Sequence, residues 1–301
     1  MQFPIPFTKM SGAGNDFILM DHRRSLFSDT AQAQKIARAV CERKFSVGAD
    51  GLILIEESKE ADFRWQFFNA DGSVAEMCGN GARCAARFAF AQGIAPAHMR
   101  FATLAGIIEA EVTGTTVCLT MTPPENLQLD LRLDNPDGME QTVHLVNTGV
   151  PHAVLLVDDI DAAPVKEWGR HFRFHPHFAP AGANVNFVGR ETLIDHGAQT
   201  AASDHGVPQD VVPRDRLLRV RTYERGVEDE TLACGTGAVA AALVAGSLGL
   251  AAAPTRIITS GREELVIHYR RDGDEFSEVK LEGPADFIYD GQLHQEALRR
   301  L

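Results

Sequence analysis

Two cysteines in this 301-residue chain open the same pattern. Cys78 to Gly93 reads CGNGARCAARFAFAQG and Cys234 to Gly249 reads CGTGAVAAALVAGSLG, with eight of sixteen positions identical and no gap. A cysteine followed by small residues and a proline-free, mostly apolar run places each thiol at a predicted helix start. The glycines flanking Asn80 and Thr236 leave the N–H groups of Gly79, Asn80 and Gly81, and of Gly235, Thr236 and Gly237, unshielded by large side chains. Orphan N–H groups at the positive end of a helix dipole form an anion site. The same position lowers a cysteine's pKa from about 8.5. A lone motif of this kind is weak, because a free cysteine is often only a small core hydrophobe. Two copies at equivalent places carry more weight. If the two thiols meet across a cleft, a thiolate on one face of a substrate carbon removes a proton and a thiol on the other face returns one. That chemistry is racemisation or epimerisation of a carbon acid, with the helix ends holding its carboxylate. It calls for no metal and no organic cofactor, and two close thiols titrate as a coupled pair.

The elements that must position these cysteines are themselves repeated. Cys78 to Thr103 and Cys234 to Thr259 are both 25 residues, and each threonine leads through a glycine (Gly106, Gly261) into two strand-like runs around a turn. Upstream, SGAGNDFILMD (Ser11 to Asp21) parallels NTGVPHAVLLVD (Asn147 to Asp158). Helical stretches follow at Ala31 to Lys44 and Val165 to Phe172, then apolar strands after Gly48 and Gly182. This order predicts an α/β protein of two pseudo-symmetric, homologous domains, 1–125 carrying Cys78 and 126–284 carrying Cys234, with 285–301 left over. The polar, Gly/Pro-punctuated stretch 192–213 has no counterpart in the first half and reads as a surface loop insertion.

Composition narrows the function. At 45% apolar and 23% charged residues the chain buries ample core. A net charge of −12, from 41 acidic and 29 basic residues, argues against a nucleic-acid partner and an anionic membrane surface. No run approaches the ~18 to 20 apolar residues of a membrane span. The first residues lack the basic and apolar regions of a secretory signal, so a cytoplasmic protein is expected. Five cysteines in a chain this long argue against a disulfide framework. Cys41, Cys84 and Cys118 read as structural. His171, His175 and His177 lack the partner spacing of a zinc site and read as surface or loop residues. Gly12-Ala13-Gly14 begins like a dinucleotide fingerprint, but Phe17 stands where the third glycine belongs. Arg83 and Arg87, one helical turn apart, read as a solvent- or partner-facing side, and Glu228-Asp229-Glu230 as solvated or capping charges.

GAGNDF, FFNADG, MCGNGARC, GVPHAV, NVNFV, YERG and ACGTGA follow one another along the chain, and in this order they resemble the diaminopimelate epimerase family over essentially its whole length. The resemblance implies two domains with mixed strands wrapped around a central helix, the active site in the interdomain cleft, and the C-terminal tail packing back on the first domain. It implies interconversion of LL- and meso-2,6-diaminopimelate, independent of pyridoxal phosphate, on the route to lysine and cell-wall precursors. Cys78 and Cys234 would be the acid/base pair, His152 the histidine beside the first and Glu224 the carboxylate beside the second. Gly79, Asn80, Gly235 and Thr236 would hold the reacting carboxylate; Asn15, Asn69, Asn186, Glu224 and Arg225 would complete the substrate contacts. The implied partner is a small molecule, with a homodimer left open. Two departures stand out. Val150 replaces the family's asparagine in GNPH, and the stretch from Glu224 to Cys234 is one residue longer, so its loop must bulge; Gly51 stands where some members carry a glutamine and is left out of the site. The alternatives are another cysteine-pair racemase, of the proline racemase or hydroxyproline epimerase type, and a non-catalytic carboxylate-binding or redox dithiol protein. Asn80 and Ala233 disfavour the racemase alternative.

Overall fold

The structure is a computed structural model describing residues 2–190 and 217–299; the stretch 192–213 lies outside them. The chain forms two compact units. One holds the residues up to Thr122 together with Gly261–Leu265 and Glu278 onward, and the other holds Pro123–Ser260 with Val266–Ser277. Gly261–Leu265 and Glu278–Pro284, read above as part of the second repeat, therefore belong with the first unit. Among the described residues no helix is long and apolar enough to cross a membrane.

The first unit runs β1 (Ile5–Gly12), β2 (Asn15–Asp21), α1 (Thr30–Cys41), β3 (Gly51–Glu56), β4 (Phe63–Asn69), α2 (Gly79–Ala91), β5 (His98–Thr103), β6 (Gly106–Thr113) and β7 (Thr116–Thr120). The second runs β8 (Glu125–Asp134), β9 (Glu140–Asn147), β10 (Pro151–Leu156), α3 (Val165–Arg173), β11 (Asn184–Arg190), β12 (Leu217–Glu224), β13 (Asp229–Thr231), α4 (Gly235–Ser247) and β14 (Thr255–Ile258). Three more strands follow, β15 (Glu264–Asp272), β16 (Glu275–Pro284) and β17 (Asp286–Leu293). The two units share a pairing pattern. β2 lies parallel to β3 and β4 parallel to β5, just as β10 lies parallel to β11 and β12 to β14. Antiparallel pairs β1/β2 and β3/β4 match β9/β10 and β11/β12.

In the first unit the strands run in the order β16, β7, β6, β5, β4, β3, β2, β1, β17, with β16 antiparallel to β7 and β17 antiparallel to β1. The sheet curls around α2. Met10, Phe17, Leu19, Ile53, Ile55, Phe101, Val112 and Leu119 close on the helix's Ala82, Cys84, Ala85, Ala86 and Ala89. α1 covers the opposite face, packing Ile36, Ala37 and Val40 against Ile18, Leu52 and Leu54. A strand covered on both faces reads as a continuous apolar run, which is what LILI in β3 is. α1 starts where it does because the Asp29 carboxylate accepts the Gln32 N–H at 2.8 Å.

The Gly12-Ala13-Gly14 segment is no nucleotide loop. Ala13 and Gly14, at φ 50° and 98°, form the two-residue turn of the β1–β2 hairpin and set Asn15 opposite Gly12. Gly12 also has a packing role. A Cβ there would lie 2.8 Å from the backbone oxygen of Asn80, so its absence lets α2 approach β1. Substituting Gly12→Ala is expected to cost about 1–3 kcal/mol, since the obstacle is backbone and cannot rotate away. Urea unfolding of the variant against the parent chain measures this, and an unchanged midpoint would contradict the packing described.

Candidate active site

Each unit carries one half of the expected constellation. In the first, Cys78 is the N-cap of α2, with extended backbone (φ −147°, ψ 119°) and no side-chain cap. The first helical bond runs from Ala82 N–H to Cys78 O at 2.8 Å. Helix geometry leaves the N–H groups of Gly79, Asn80 and Gly81 with no acceptor in the helix. Cys78 is half-buried, and all five cysteines are thiols.

A chain of polar side chains braces this helix start. The Asn80 amide nitrogen donates to Asn15 Oδ1 at 2.7 Å, and Asn15 Nδ2 donates to Asp50 Oδ2 at 2.9 Å. Arg43 bridges Asp50 to Asp16, and Lys9 pairs with Asp16 at 2.7 Å. On the other side, Asn80 Oδ1 accepts from Arg83 Nη2 at 2.9 Å. The structure thus brings Asn15 and Asn80 together. It places Asn69 at the exposed end of β4, opposite Gly51, with its amide donating to Ser73 Oγ. Gly51 has no room for a side chain, since a Cβ would meet Phe67 Cε2 at 2.6 Å and Phe68 O at 2.7 Å.

The solvent-facing reading of the arginine pair is corrected. Arg83 is 0% exposed. Its guanidinium donates to Pro284 O at 3.1 Å as well as to Asn80 Oδ1, and its Nη1 lies 3.5 Å from Gly79 O. Arg87 donates to Ala285 O, pairs with Asp286 and lies over the Phe287 ring. The returning segment 284–287 supplies these partners, and nothing local to α2 announces it. The acid run is paired as well: exposed Glu228 with Arg173, exposed Asp229 with Lys166, and the more covered Glu230 with Arg221.

In the second unit Cys234 is the N-cap of α4 (φ −122°, ψ 110°), buried, with Sγ 3.6 Å from the Thr236 hydroxyl. The first helical bond is Ala238 N–H to Cys234 O at 2.9 Å, which leaves Gly235, Thr236 and Gly237 N–H groups like those of α2. The Thr148 hydroxyl donates to Thr236 O at 3.0 Å and ties down the first turn. Val150 sits in the same turn as Thr148, accepting its N–H at 3.2 Å. The longer link from Glu224 to Cys234 is absorbed in the β12–β13 turn, where Glu228 takes φ 58° and donates its N–H to Glu224 O.

Side chains alternate along each strand, so one face of this sheet meets α3 and the other meets α4. Val185, Phe187 and Tyr223 pack on the α3 side. Asn184, Asn186, Thr222 and Glu224 therefore share the α4 side, as His152 does beside Ala153 and Leu155 of the α3 face. Asn186 Nδ2 donates to Ala153 O at 3.1 Å and lies 3.1 Å from His152 Nδ1, while Asn186 Oδ1 accepts from the Thr222 hydroxyl. A carbonyl only accepts, so the Asn186 nitrogen faces that side and His152 Nδ1 must accept. Burial, then the charge of Arg225, pushes the His152 pKa down to about 3. The neutral ring consequently carries its proton on Nε2, a buried atom that makes no hydrogen bond. In this tautomer Nε2–H is a donor.

Asn186 is corrected too. It is fully buried with its amide committed on both ends, and Gly237 exists partly to admit it, since a Cβ there would lie 2.3 Å from Asn186 Oδ1. Asn184, two residues earlier on the same face, was missed. Its Oδ1 accepts the Arg225 N–H at 2.8 Å, and its amide nitrogen has no partner among the described residues. The NVNF spacing shows both asparagines on one face; only depth along the strand separates them. Glu224 closes β12, and burial raises its pKa. Arg225 follows on the turn with its guanidinium 3.5 Å from Ala181 O.

Fold and helix starts together define an α/β protein of two units built on one pattern, each with a helix that begins on a cysteine. A phenazine biosynthesis protein of the PhzF family from Bacillus anthracis superposes with a TM-score of 0.69 at 14% identity, covering 98% of this chain and 100% of that one. A probable proline racemase from Agrobacterium radiobacter gives 0.63 at 16%, over 97% and 93%. At such identities the likeness is one of fold. Sequence goes further. The diaminopimelate epimerase family model matches residues 7–127 and 144–288. A diaminopimelate epimerase of Aquifex aeolicus is 42% identical over 302 aligned positions, spanning 97% of this chain and 99% of the relative. The chain belongs to the diaminopimelate epimerase family.

The His152 geometry has a measurable sign. A ring that protonates near 6.5 when unfolded and near 3 when folded binds its proton preferentially in the unfolded state. Its contribution to stability is therefore present above pH 6.5 and is lost as pH falls towards 3. His152→Gln should flatten the acid limb of stability against pH, measured by denaturant unfolding. Nitrogen-15 spectra should show the Nε2–H tautomer without titration from about pH 5 to 8. A midpoint near 6.5 would contradict the buried donor.

Proposed function

We propose that this chain interconverts LL- and meso-2,6-diaminopimelate by a two-thiol mechanism, with Cys78 and Cys234 addressing opposite faces of the α-carbon. The observation that carries the reading is that each cysteine caps the equivalent helix of its unit, in a chain of this family. The α-carboxylate accepts hydrogen bonds from the orphan N–H groups of Gly79, Asn80, Gly235 and Thr236. Removal of the α-proton breaks a C–H bond and leaves an electron pair delocalised into that carboxylate, where the helix ends and the donated N–H groups stabilise it. One thiolate receives the proton and the other thiol delivers one to the opposite face, so the exchange balances on the two sulfurs.

The surrounding residues divide the remaining tasks. Glu224, its pKa raised by burial, is the proton acceptor suited to the Cys234 thiol. His152 stabilises negative charge through Nε2–H, and Asn186 with Thr222 holds its tautomer. Asn15, Asn69, Asn184 and Arg225 receive the ammonium and carboxylate groups; the arginine fork suits a carboxylate. Asn184 takes the contact expected of Asn186. The substrate's two zwitterionic ends suit a lining that is polar but lightly charged. Reduced cysteines and a small amino-acid substrate fit a cytoplasmic enzyme.

Incubation of the chain with LL-diaminopimelate in deuterated water, under reducing conditions, tests the reading. Deuterium should enter the α-carbon of the product. Cys78→Ser and Cys234→Ser should each lower kcat by roughly 10²- to 10⁴-fold, the usual worth of a positioned acid or base. Asn184→Ala should raise KM more than Asn186→Ala does. Retention of full activity by both serine variants, or product without deuterium, overturns the mechanism.

A further inference from the structure

Between Asp50 and Arg83 two side-chain amides stand in series. Asn15 Nδ2 donates to Asp50 Oδ2 at 2.9 Å, Asn80 Nδ2 to Asn15 Oδ1 at 2.7 Å, and Arg83 Nη2 to Asn80 Oδ1 at 2.9 Å. The two ends decide the middle. A carboxylate only accepts and a guanidinium only donates, so each amide between them has one way round. Reversing one amide, or both, sets like atoms against each other.

The second unit is built without this line. β2 meets β3 at Phe17 and Gly51, and β10 meets β11 at His152 and Asn184, each pair on the face that covers the cysteine-started helix. Counting back from those pairs sets Val150 where Asn15 stands and Ala183 where Asp50 stands. Counting on from each cysteine sets Thr236 against Asn80 and Val239 against Arg83. All four members are exchanged together, three of them for apolar side chains. The strand and helix pattern that the units share therefore does not need the line; something particular to the first unit does.

We propose that Asp50 is a positioning residue for the ligand contact made by Asn15, its carboxylate fixing which end of that amide donates and which accepts. This rests on the reading of the chain as a diaminopimelate epimerase with Asn15 in its substrate site.

Asp50 is itself held from several sides. Its Oδ2 also accepts the Asp16 N–H at 3.2 Å, and its Oδ1 accepts from Arg43 Nη2 at 3.0 Å. Its own N–H donates to Asp16 Oδ1 at 3.0 Å, and its carbonyl accepts the Ala70 N–H at 2.9 Å, next to Asn69. Asp16 in turn pairs with Lys9 and Arg43, so two cations answer the two carboxylates. The acceptor offered to Asn15 thus has a fixed place.

What the line leaves over matters to a zwitterionic ligand. Half-buried Asn15 spends one N–H and one lone pair in it, and keeps a second donor on the nitrogen and a second acceptor on the oxygen. An ammonium and a carboxylate cannot trade those places. With Asp50 removed, Asn80 holds the amide by its oxygen alone, and ordering the nitrogen falls to the ligand, which weakens binding.

Kinetics and side-chain amide spectra of the full chain test this. Asp50→Ala should raise KM for LL-diaminopimelate about tenfold while kcat falls less than about threefold, because binding rather than chemistry loses its support. Asp50→Asn should recover most of the loss. Its carboxamide oxygen can meet both donors, Asn15 Nδ2 and Asp16 N–H, while exposed Arg43 keeps Asp16. In an Asn15→Ala background, Asp50→Ala should change KM by less than about twofold, since the line is already cut. A merely structural role would cost the same in both backgrounds. Nitrogen-15 spectra give a readout without turnover. The Asn15 Nδ2–H signals, identified by their loss in Asn15→Ala, should lie outside the range of exposed asparagine amides. They should stay there in Asp50→Asn and return to that range in Asp50→Ala. Signals at exposed positions in the parent chain overturn the proposal, whether or not Asp50→Ala folds. So do equal effects of Asp50→Ala in the two backgrounds, or an Asp50→Asn variant as impaired as Asp50→Ala. The two readings fail separately. If the chain does not turn over diaminopimelate, the spectra still report on Asp50; if it does so with a KM indifferent to Asp50, the epimerase reading stands and this proposal falls.

Discussion

A helix that begins on a cysteine points three backbone N–H groups and the positive end of its dipole at whatever lies beyond that cysteine. Both halves of this chain are built to preserve that arrangement. Because the N-cap side chain accepts none of them, the N–H groups stay available; because the next residues are small, no bulky side chain covers them. Everything else holds the two helix starts in place. Strands curl around α2 until its small side chains are enclosed, Gly12 lets the helix settle on β1, and Thr148 pins the first turn of α4. An anion cradle made of main chain depends little on side-chain rotamers, so it survives divergence between repeats that share only half their residues here.

Polar burial adds precision on top of packing. In the first unit a continuous line of hydrogen bonds runs from Asp50 through Asn15 and Asn80 to Arg83. In the second, Ala153 O, Asn186, His152 and Thr222 form a closed set in which each donor has one acceptor, leaving a single N–H over. Networks of this kind specify one arrangement because any displaced member leaves a buried polar group unpaired. They also explain why residues that never touch a ligand are tied so closely to those that do.

How much of this was legible beforehand depended on range. Periodicity and turn chemistry are local, so the helices after Cys78 and Cys234, the strands flanking them and the α/β character were readable, and the repeated spacing exposed the duplication. Arg83 was misread because an arginine on an amphipathic helix ordinarily reaches water, and one of its acceptors, Pro284 O, arrives from far along the chain. Asn186 and Asn184 are indistinguishable by alternation. The first lies under α4 and the second at the start of the strand, and that depth is set only once α4 has packed. The His152 tautomer was likewise invisible, being fixed by an amide 34 residues away.

The return of the chain through β16 and β17 bears on the order of events during synthesis. Arg83 and Pro284 are separated by 201 residues, and nearly all of the second unit lies between them. A ribosome delivers α2 long before it delivers the carbonyls that receive its arginines and the strand that pairs with β1. In the interval Arg83 lacks the Pro284 carbonyl that receives it in the finished fold. The second unit's sheet from β8 to β12 and its helix α4 are contiguous in the chain and can close first. The first unit to emerge is thus the last whose strands and carbonyl acceptors are all present.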